Sequence, residues 1–444
     1  MKQEEYARRR RQLSRIMGEG TIAILPAAPE KVRSRDVLHG FRQDSDFYYL
    51  TGFGEPEAVM VMVPGRTAAE FIVFCRERNA EKETWDGLRA GPQGVVDKFG
   101  ADDAFPISDI DEILPGLMEN CHSVYYTMGV NTAFDQQVIG WVNGLRAGGQ
   151  NRTSHSPQEI IALDHVLHDM RLYKSRAEIV AMRRSAKVAS LAHKRAMQMV
   201  RPGLYEYEVE AEYLYEFRRH GGSPSYPPIV GGGRNACILH YTENDQILND
   251  GDLLLVDAGC ELEYYASDIT RTYPVNGRFS APQRAIYDLV HKANIAAIDK
   301  VRAGNHWNDI HDAAVRVIAA GLLQLGLLKG TPASVIKDKS YQRFFMHRTG
   351  HWLGVDVHDV GDYKVAGEWR VLEPGMVLTV EPGIYIPFKS KGVAKKWWGI
   401  GVRIEDDVVV TRKGPDVLSK HLVKSADAVE DLMAAGRHSL RKSA

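Results

Sequence analysis

The chain has 444 residues, 44% hydrophobic and 25% charged, with 56 basic residues against 57 acidic ones. That length and apolar content suit a globular chain of about two or three domains, and the near-zero net charge gives no electrostatic footing for a nucleic-acid or membrane partner. The charged N-terminus runs into no apolar stretch of the secretory kind. Cys75, Cys121, Cys237 and Cys260 are dispersed without a Cys-x-x-Cys pair, so a cytoplasmic setting with reduced thiols is expected.

The first predicted element is a helix around Arg8, Arg9, Arg10, Arg11 and Arg15. Tyr6, Leu13, Ile16 and Met17 recur there at helical intervals, and the arginines read as its solvated face. Thr21–Leu25, Ala58–Val63, Phe71–Cys75 and Ser123–Met128 are short apolar runs that predict strands; Glu112–Asn120 and Ala133–Asn143 predict helices. Together they predict an N-terminal α/β domain with a mixed sheet over residues 1–172. It closes through a polar loop, Gly148–Gln158, and a helical stretch ending near Leu172.

From residue 173 to 444 the pattern changes. Helices are expected over Glu178–Val200, stopped by Arg201–Pro202–Gly203, over Glu206–His220, over Gln283–Ala303 and over Trp307–Leu325. Val317–Leu328, the longest nearly uncharged apolar run, is too short to span a bilayer. Strand runs occupy Asp252–Asp257, Glu263–Val275, Met376–Ile386 and Gly401–Val410, and Ser425–Ala444 reads as a helix with a polar end. Helix pairs set between antiparallel hairpins predict an α+β domain, not a βαβ array.

Acids stand in these strands where acids are unwelcome. In GDLLLVDAGCELEYYASDITRTYPV (251–275), a hairpin folded about its middle would place Asp257 opposite Asp268 on one face. GMVLTVEPGIYI (375–386) puts Glu381 at a strand end. GIGVRIEDDVVV (399–410) returns Glu405 to pair with it, with Arg403 two positions earlier on the same face. One such acid reads equally well as a surface residue or an ion pair. Four need compensating charge that Arg403 alone does not provide, and two divalent cations would supply it. Oxygen-rich ligation with one imidazole suits Mn, Fe, Co or Zn. Two such ions with a bridging water would yield hydroxide at neutral pH and polarise a carbonyl, which is hydrolytic chemistry.

The imidazole has an obvious source. MHRTGHWLGVDVHDVG (346–361) looks like a buried strand, yet it crowds His347, His351 and His358 among Gly350, Gly354 and Gly361. By itself the segment fits either satisfied core histidines or a binding role. Gly350 and Gly354 are expected to relax the backbone around a ligand.

In order and local context, VDAG, SDITRT, HRTGHWLGVDVHD, TVEPGIY and VRIEDDV resemble the pita-bread metallopeptidases, and the histidine segment is similar to their proline-peptidase signature. The likeness extends to the N-terminal α/β domain, as in aminopeptidase P, prolidase and creatinase. TWDGLRAGP (84–92) is similar to aminopeptidase P in particular. The resemblance implies hydrolysis of the bond between an N-terminal residue and a penultimate proline, with two metal ions per subunit, Mn²⁺ ahead of Zn²⁺ or Co²⁺. It implies that Asp257 binds one metal, that Asp268 and Glu405 bridge both, and that His351 and Glu381 complete the other site. Glu381 would also accept the proton of the attacking hydroxide, His358 and His240 would donate to the scissile carbonyl or oxyanion, and His347 would line the proline pocket. Arg403 would orient Asp257 or Glu405. Tyr363 in the pocket, and Trp85 reaching a neighbouring subunit of a homodimer or homotetramer, weigh equally against ordinary packing.

Other chemistries fit less well. Cys237 and His240, three apart in a strand-like stretch, would face opposite ways, which disfavours a cysteine nucleophile. Gly231–Gly232–Gly233 is followed by Arg–Asn, so it reads as a turn near the site mouth and not a phosphate loop. His193, His220, His291, His306 and His311 lie on helical segments and read as surface or cap residues. A dipeptide-specific prolidase remains the nearest alternative, and a metal-free binding module on the same fold the most distant.

Overall fold

The computed structural model describes residues 1–147 and 155–443, so most of the expected Gly148–Gln158 loop lies outside the described residues. The chain divides into two compact units, Met1–Met170 and Arg171–Ala444.

The first unit is built on β1 (Thr21–Pro26), β2 (Val59–Met62), β3 (Phe71–Cys75), β4 (Asp103–Pro106), β5 (Ser123–Tyr125) and β6 (Glu159–Ile161), in the order β4-β3-β2-β1-β5-β6. The β1–β2 and β2–β3 pairs are antiparallel, whereas β1–β5, β3–β4 and β5–β6 are parallel, so the sheet is mixed, as expected. Both faces of β1, β2 and β3 are buried, which accounts for their unbroken apolar runs. Among its helices are α1 (Gln3–Met17), α2 (Ala80–Asp86), α3 (Ile110–Met118) and α4 (Thr132–Ala147), with α5 (Leu163–Leu172) running into the second unit.

The arginine cluster departs from expectation. Arg9 and Arg10 are buried. They donate to the Tyr49 and Leu50 carbonyls at 2.8 and 2.9 Å, in the last turn of the short helix Ser45–Thr51, and lie over the rings of Tyr49 and Phe71. Two of the four adjacent arginines therefore satisfy orphan carbonyls in the interior; periodicity alone could not separate them from the solvated pair.

The second unit pairs α6 (Arg176–Met199) with α7 (Glu206–Arg219), and α8 (Ala281–Ile298) with α9 (Trp307–Gln324). Around them lie β7 (Ile229–Gly232), β8 (Leu253–Asp257), β9 (Thr270–Pro274), β10 (Val377–Val380), β11 (Gly383–Ile386), β12 (Ile400–Arg403), β13 (Asp406–Thr411) and β14 (Gly414–Val417), with α10 (Ala426–Ser443) at the C-terminal end. A Ser175–Glu178 capping box starts α6. The β7-β8-β9 sheet is antiparallel, as are the β10–β13, β13–β14 and β11–β12 ladders. This is the expected α+β arrangement. Its core gathers Ile286, Val290, Ile310, Leu378, Val380 and Ile404, all buried.

Two expected strands are broken. Met376–Ile386 becomes β10 and β11, and Gly401–Val410 becomes β12 and β13. Pro382 has no N–H to give the ladder, and the breaks fall at matching positions because the β10–β13 and β11–β12 ladders share one register. Glu381 and Glu405 sit opposite each other in the gap. From α8, the buried Asn294 side chain donates to the Val380 and Ile404 carbonyls at 3.0 and 3.3 Å, and so seals the gap from behind.

Candidate metal centre

The hairpin register corrects the expected opposition of Asp257 and Asp268. Asp257, the last residue of β8, pairs with Thr270; Asp268 lies two residues earlier, ahead of β9. The intervening chain forms a small sheet from Cys260–Leu262 and Tyr265–Ala266, joined by Ser223–Pro224. The carboxylates still converge, since the Tyr226 hydroxyl lies 2.5 Å from Asp257 Oδ1 and 2.5 Å from Asp268 Oδ1. A phenol has one proton, so it donates to one acid at a time.

Asp268, His351 and Glu405 each offer a ligand atom, and these atoms all lie within 4.8 Å of one another. Two carboxylates about 4 Å apart repel by roughly 4 kcal/mol at an effective dielectric near 20. Burial, with repulsion from Asp268, Glu381 and Asp257, accordingly raises Glu405 well above the usual carboxylate range. Burial likewise pushes Glu381 up to about 7, against the pull of His351 and Arg403. Asp257 is also raised by burial, with Arg403 opposing.

His351 is the imidazole of the group that could hold a metal ion. Its Nδ1 hydrogen-bonds the Trp352 carbonyl at 2.9 Å, which leaves Nε2 facing Asp268 Oδ2 at 3.2 Å and Glu381 Oε1 at 3.8 Å. Burial disfavours a charge there, but the surrounding acids outweigh it and raise the imidazole to about 9. Any positive species at Nε2, proton or metal, is thereby favoured. The donor set of four carboxylates and one imidazole, without a thiolate, fits hard to borderline divalent cations.

The histidine segment is not the strand its apolar residues suggest. It runs irregularly beside β10: the Glu381, Thr379 and Leu353 N–H groups donate to Thr349, His351 and Val377 carbonyls at 2.8, 3.0 and 3.0 Å. A Cβ on Gly350 would lie 2.0 Å from the Thr379 carbonyl oxygen, and one on Gly354 would lie 2.1 Å from Asp359 Oδ2. These two glycines therefore serve close approach and not a relaxed backbone. Only Gly361 of the three has positive φ, at 128°.

Arg403 lies behind the acids, with Nη2 2.6 Å from Asp257 Oδ2. Its Nε donates to Thr270 Oγ1 at 3.1 Å, and that hydroxyl donates to Glu405 Oε2 at 2.6 Å. One guanidinium thus holds Asp257 directly and Glu405 through a hydroxyl. Its Nη1 donates to the Tyr385 hydroxyl, which in turn donates to His347 Nε2, both at 2.9 Å. The Nδ1–H of His347 donates to the Arg348 carbonyl at 2.7 Å. Burial and the charge of Arg403 push His347 down to about 3, so its 3.8 Å approach to Glu381 is a contact with a neutral ring and not an ion pair.

His358 stands edge-on to His351, ring centres 4.4 Å apart, and is exposed. Burial of part of the ring and the charge of His351 lower its pKa. His240 is exposed on a loop after β7, near enough that a proton on it would disfavour charge on both His347 and His358. Tyr363 stacks on Trp352, abuts Trp307, and its hydroxyl accepts from the Trp352 backbone N–H at 3.2 Å. Trp85 projects from α2 of the first unit, 84% exposed. Cys237 donates weakly to the Ile386 carbonyl and is pushed by burial up to about 12, an inert thiol on a 3₁₀ turn and not on a strand.

Several participants escape sequence reasoning. Tyr226, Thr270, Asn294 and Tyr385 carry no local pattern that marks them. Asp359, directly after His358, is buried between Arg171 and Lys174 at 2.6 and 2.8 Å; an Asp beside a motif histidine was the only available signal. His193 and His311 are corrections: both are buried. His193 bridges the Tyr213 hydroxyl and the Ile269 carbonyl beside Asp268, and His311 meets Thr349 at 2.8 Å.

Comparison with known proteins places this geometry. Residues 180–412 match the metallopeptidase family M24, and residues 6–125 match the N-terminal domain of aminopeptidase P. The chain is 44% identical over 437 residues to an Xaa-Pro aminopeptidase of Escherichia coli K12, covering 98% of each. It is similar to the structure of the Pseudomonas aeruginosa aminopeptidase PepP, with 58% identity, a TM-score of 0.97 and 99% of each chain covered. A zinc-substituted E. coli aminopeptidase P holding product is 43% identical, with a TM-score of 0.95 over 98% of this chain and 99% of that one. On these matches the chain belongs to metallopeptidase family M24 and carries the N-terminal domain of the aminopeptidase P type.

Proposed function

We propose that this protein is an Xaa-Pro aminopeptidase that removes the first residue from peptides whose second residue is proline. The observation that carries the reading is the group of Asp268, Glu405 and His351, whose ligand atoms lie within 4.8 Å of one another, with Glu381 3.8 Å from His351 Nε2 and Asp257 joined to Asp268 through the Tyr226 hydroxyl, in a chain alignable end to end with Xaa-Pro aminopeptidases.

Two divalent ions fit there, Mn²⁺ first and Zn²⁺ or Co²⁺ as substitutes. Asp257 would hold one, His351 and Glu381 the other, and Asp268 and Glu405 both. Once bound, they would supply a nucleophilic water of lowered pKa and polarise the scissile carbonyl. Glu381 is the acid on the open side of the cluster, with 19% of its side chain exposed against 7% for Asp268. It takes the proton of the attacking water and hands it to the leaving proline nitrogen. His358 and His240 are the exposed imidazoles, and their N–H groups meet the oxyanion as it develops.

An X–Pro amide lacks an N–H, so proline must be selected by shape. The neutral His347 ring, backed by the buried Phe345 and Tyr385 at 5.1 and 5.6 Å by ring centres, would be the flat wall that meets proline, with Tyr363 a second candidate. Trp85 and Leu88, 84% and 83% exposed, are the residues through which a neighbouring subunit of a homodimer or homotetramer would be met. The four unbonded cysteines suit a reducing cytoplasm. Among the described residues no helix is long and apolar enough to cross a membrane.

The test is a pair of substrates assayed with Mn²⁺. An X-Pro-Y tripeptide should be cut after its first residue while a Gly-Pro dipeptide is spared. Preferential cleavage of the dipeptide would make the protein a prolidase, and turnover of neither would remove the assignment.

A further inference from the structure

Glu206, at the first position of α7, is a fully buried carboxylate with no cation among its hydrogen-bond partners in the described residues. Four donors fill it instead. Oε1 accepts from the Gly232 N–H at 2.7 Å and from Asn235 Nδ2 at 3.1 Å. Oε2 accepts from the Tyr241 hydroxyl at 2.7 Å and from the Gln246 N–H at 3.0 Å. The backbone N–H of Glu206 donates to the Gln246 carbonyl at 2.9 Å, so the contact with that residue is reciprocal.

All four donors lie within residues 232–246, and His240 sits in the middle of that segment. It is exposed, while its neighbour Tyr241 is buried against the carboxylate. A charged acceptor with every lone-pair direction used is a demanding fit. A glutamine would turn an NH₂ toward two donors that need an acceptor. The segment has no room to drift at its start either, since a Cβ on Gly232 would lie 2.5 Å from Leu248 Cδ2.

The segment is anchored a second time. Asn244 accepts from the Val230 N–H at 3.0 Å and donates to Glu210 Oε2 and the Pro228 carbonyl, each at 2.9 Å. The far end of the loop therefore stays tied down without Glu206. What Glu206 adds is the short tie to Tyr241, the residue next to His240, whose hydroxyl also lies 3.4 Å from Asp245 Oδ1.

We infer that Glu206 is a positioning residue that aims His240 at the reacting carbonyl through the Tyr241 hydroxyl and the backbone of the 232–246 loop. This rests on the reading of His240 as a donor to that carbonyl or its oxyanion.

A double-mutant cycle tests it in the metal-loaded protein with an X-Pro-Y tripeptide: wild type, E206Q, H240A and the double variant. H240A should lower kcat by ~10²-fold, as expected for loss of one oxyanion donor. E206Q should lower kcat by ~10-fold in the wild-type background, with KM and bound metal unchanged, and by less than ~2-fold in the H240A background. Equal losses in both backgrounds would overturn the inference and leave the reading of His240 intact. An H240A variant with normal turnover would remove the role of His240 and the inference with it. If E206Q does not fold, Y241F removes a single donor at little packing cost. It should slow the wild type by ~3-fold and leave H240A unchanged, and the same loss in both would overturn the inference.

Discussion

Asp257, Asp268, Glu381 and Glu405 were legible because a carboxylate inside a Val/Leu/Ile run must be explained, and four of them in one domain must be explained together. His351 was legible by its spacing within the motif. Tyr226 and Thr270 were not, because nothing in SYPP or DITRT separates a hydroxyl that binds two acids from one that faces water. Their roles exist only once β8 and β9 are registered and the loop before β7 is folded over them. Glu206 was hidden for the opposite reason. An acid in the first turn of a helix is the ordinary choice for the helix dipole, so its burial under four donors leaves no trace in the sequence. At this scale the sharpest expectation concerns Glu381. Glu381→Ala should cut kcat by several orders of magnitude, on the order of 10³ or more, and stay folded, since the substitution also relieves like-charge repulsion in the cluster. Circular dichroism and turnover on one preparation check this; a folded variant with near-normal kcat would take the proton-transfer role from Glu381.

Among the elements, the strand interruptions matter most. Apolar patterning predicts unbroken strands over Met376–Ile386 and Gly401–Val410, because residues on both sides of each break are buried alike. The signal for the break is Pro382, and its effect on the partner strand follows only from the shared register of the two ladders. The break turns Glu381 and Glu405 away from ladder geometry and lets Asn294 close the backbone behind them. The histidine segment shows the same limit from the other side: its residues are strand-like, but Gly350 must press against the Thr379 carbonyl for His351 to face the acids. Gly350→Ala should therefore destabilise the protein by about 1–3 kcal/mol, as overpacking against backbone does, and weaken metal retention. Chemical denaturation with metal analysis reads both, and a variant with wild-type midpoint and metal content would show that this close approach is not required.

For the whole molecule, the fold class and the alternation of elements followed from periodicity and motif order, and the M24 match over 180–412 together with the aminopeptidase P N-terminal match over 6–125 agrees with that plan. The buried arginines of α1 did not follow, because burial of Arg9 and Arg10 depends on a helix some forty residues away in sequence. Charge at the centre links these scales. Burial together with mutual repulsion raises Glu405, Glu381 and Asp257, while Arg403 and His351 offset only part of the negative charge. We propose that two divalent ions balance this charge and that the hydrolysis requires them. Stripping the protein with a chelator and restoring Mn²⁺ stepwise, with bound metal and X-Pro-Y cleavage followed together, tests it most directly. Cleavage should vanish on stripping and return as about two equivalents bind per chain. Undiminished cleavage by the metal-free protein, or failure to bind any equivalent of Mn²⁺, Zn²⁺ or Co²⁺, would contradict it.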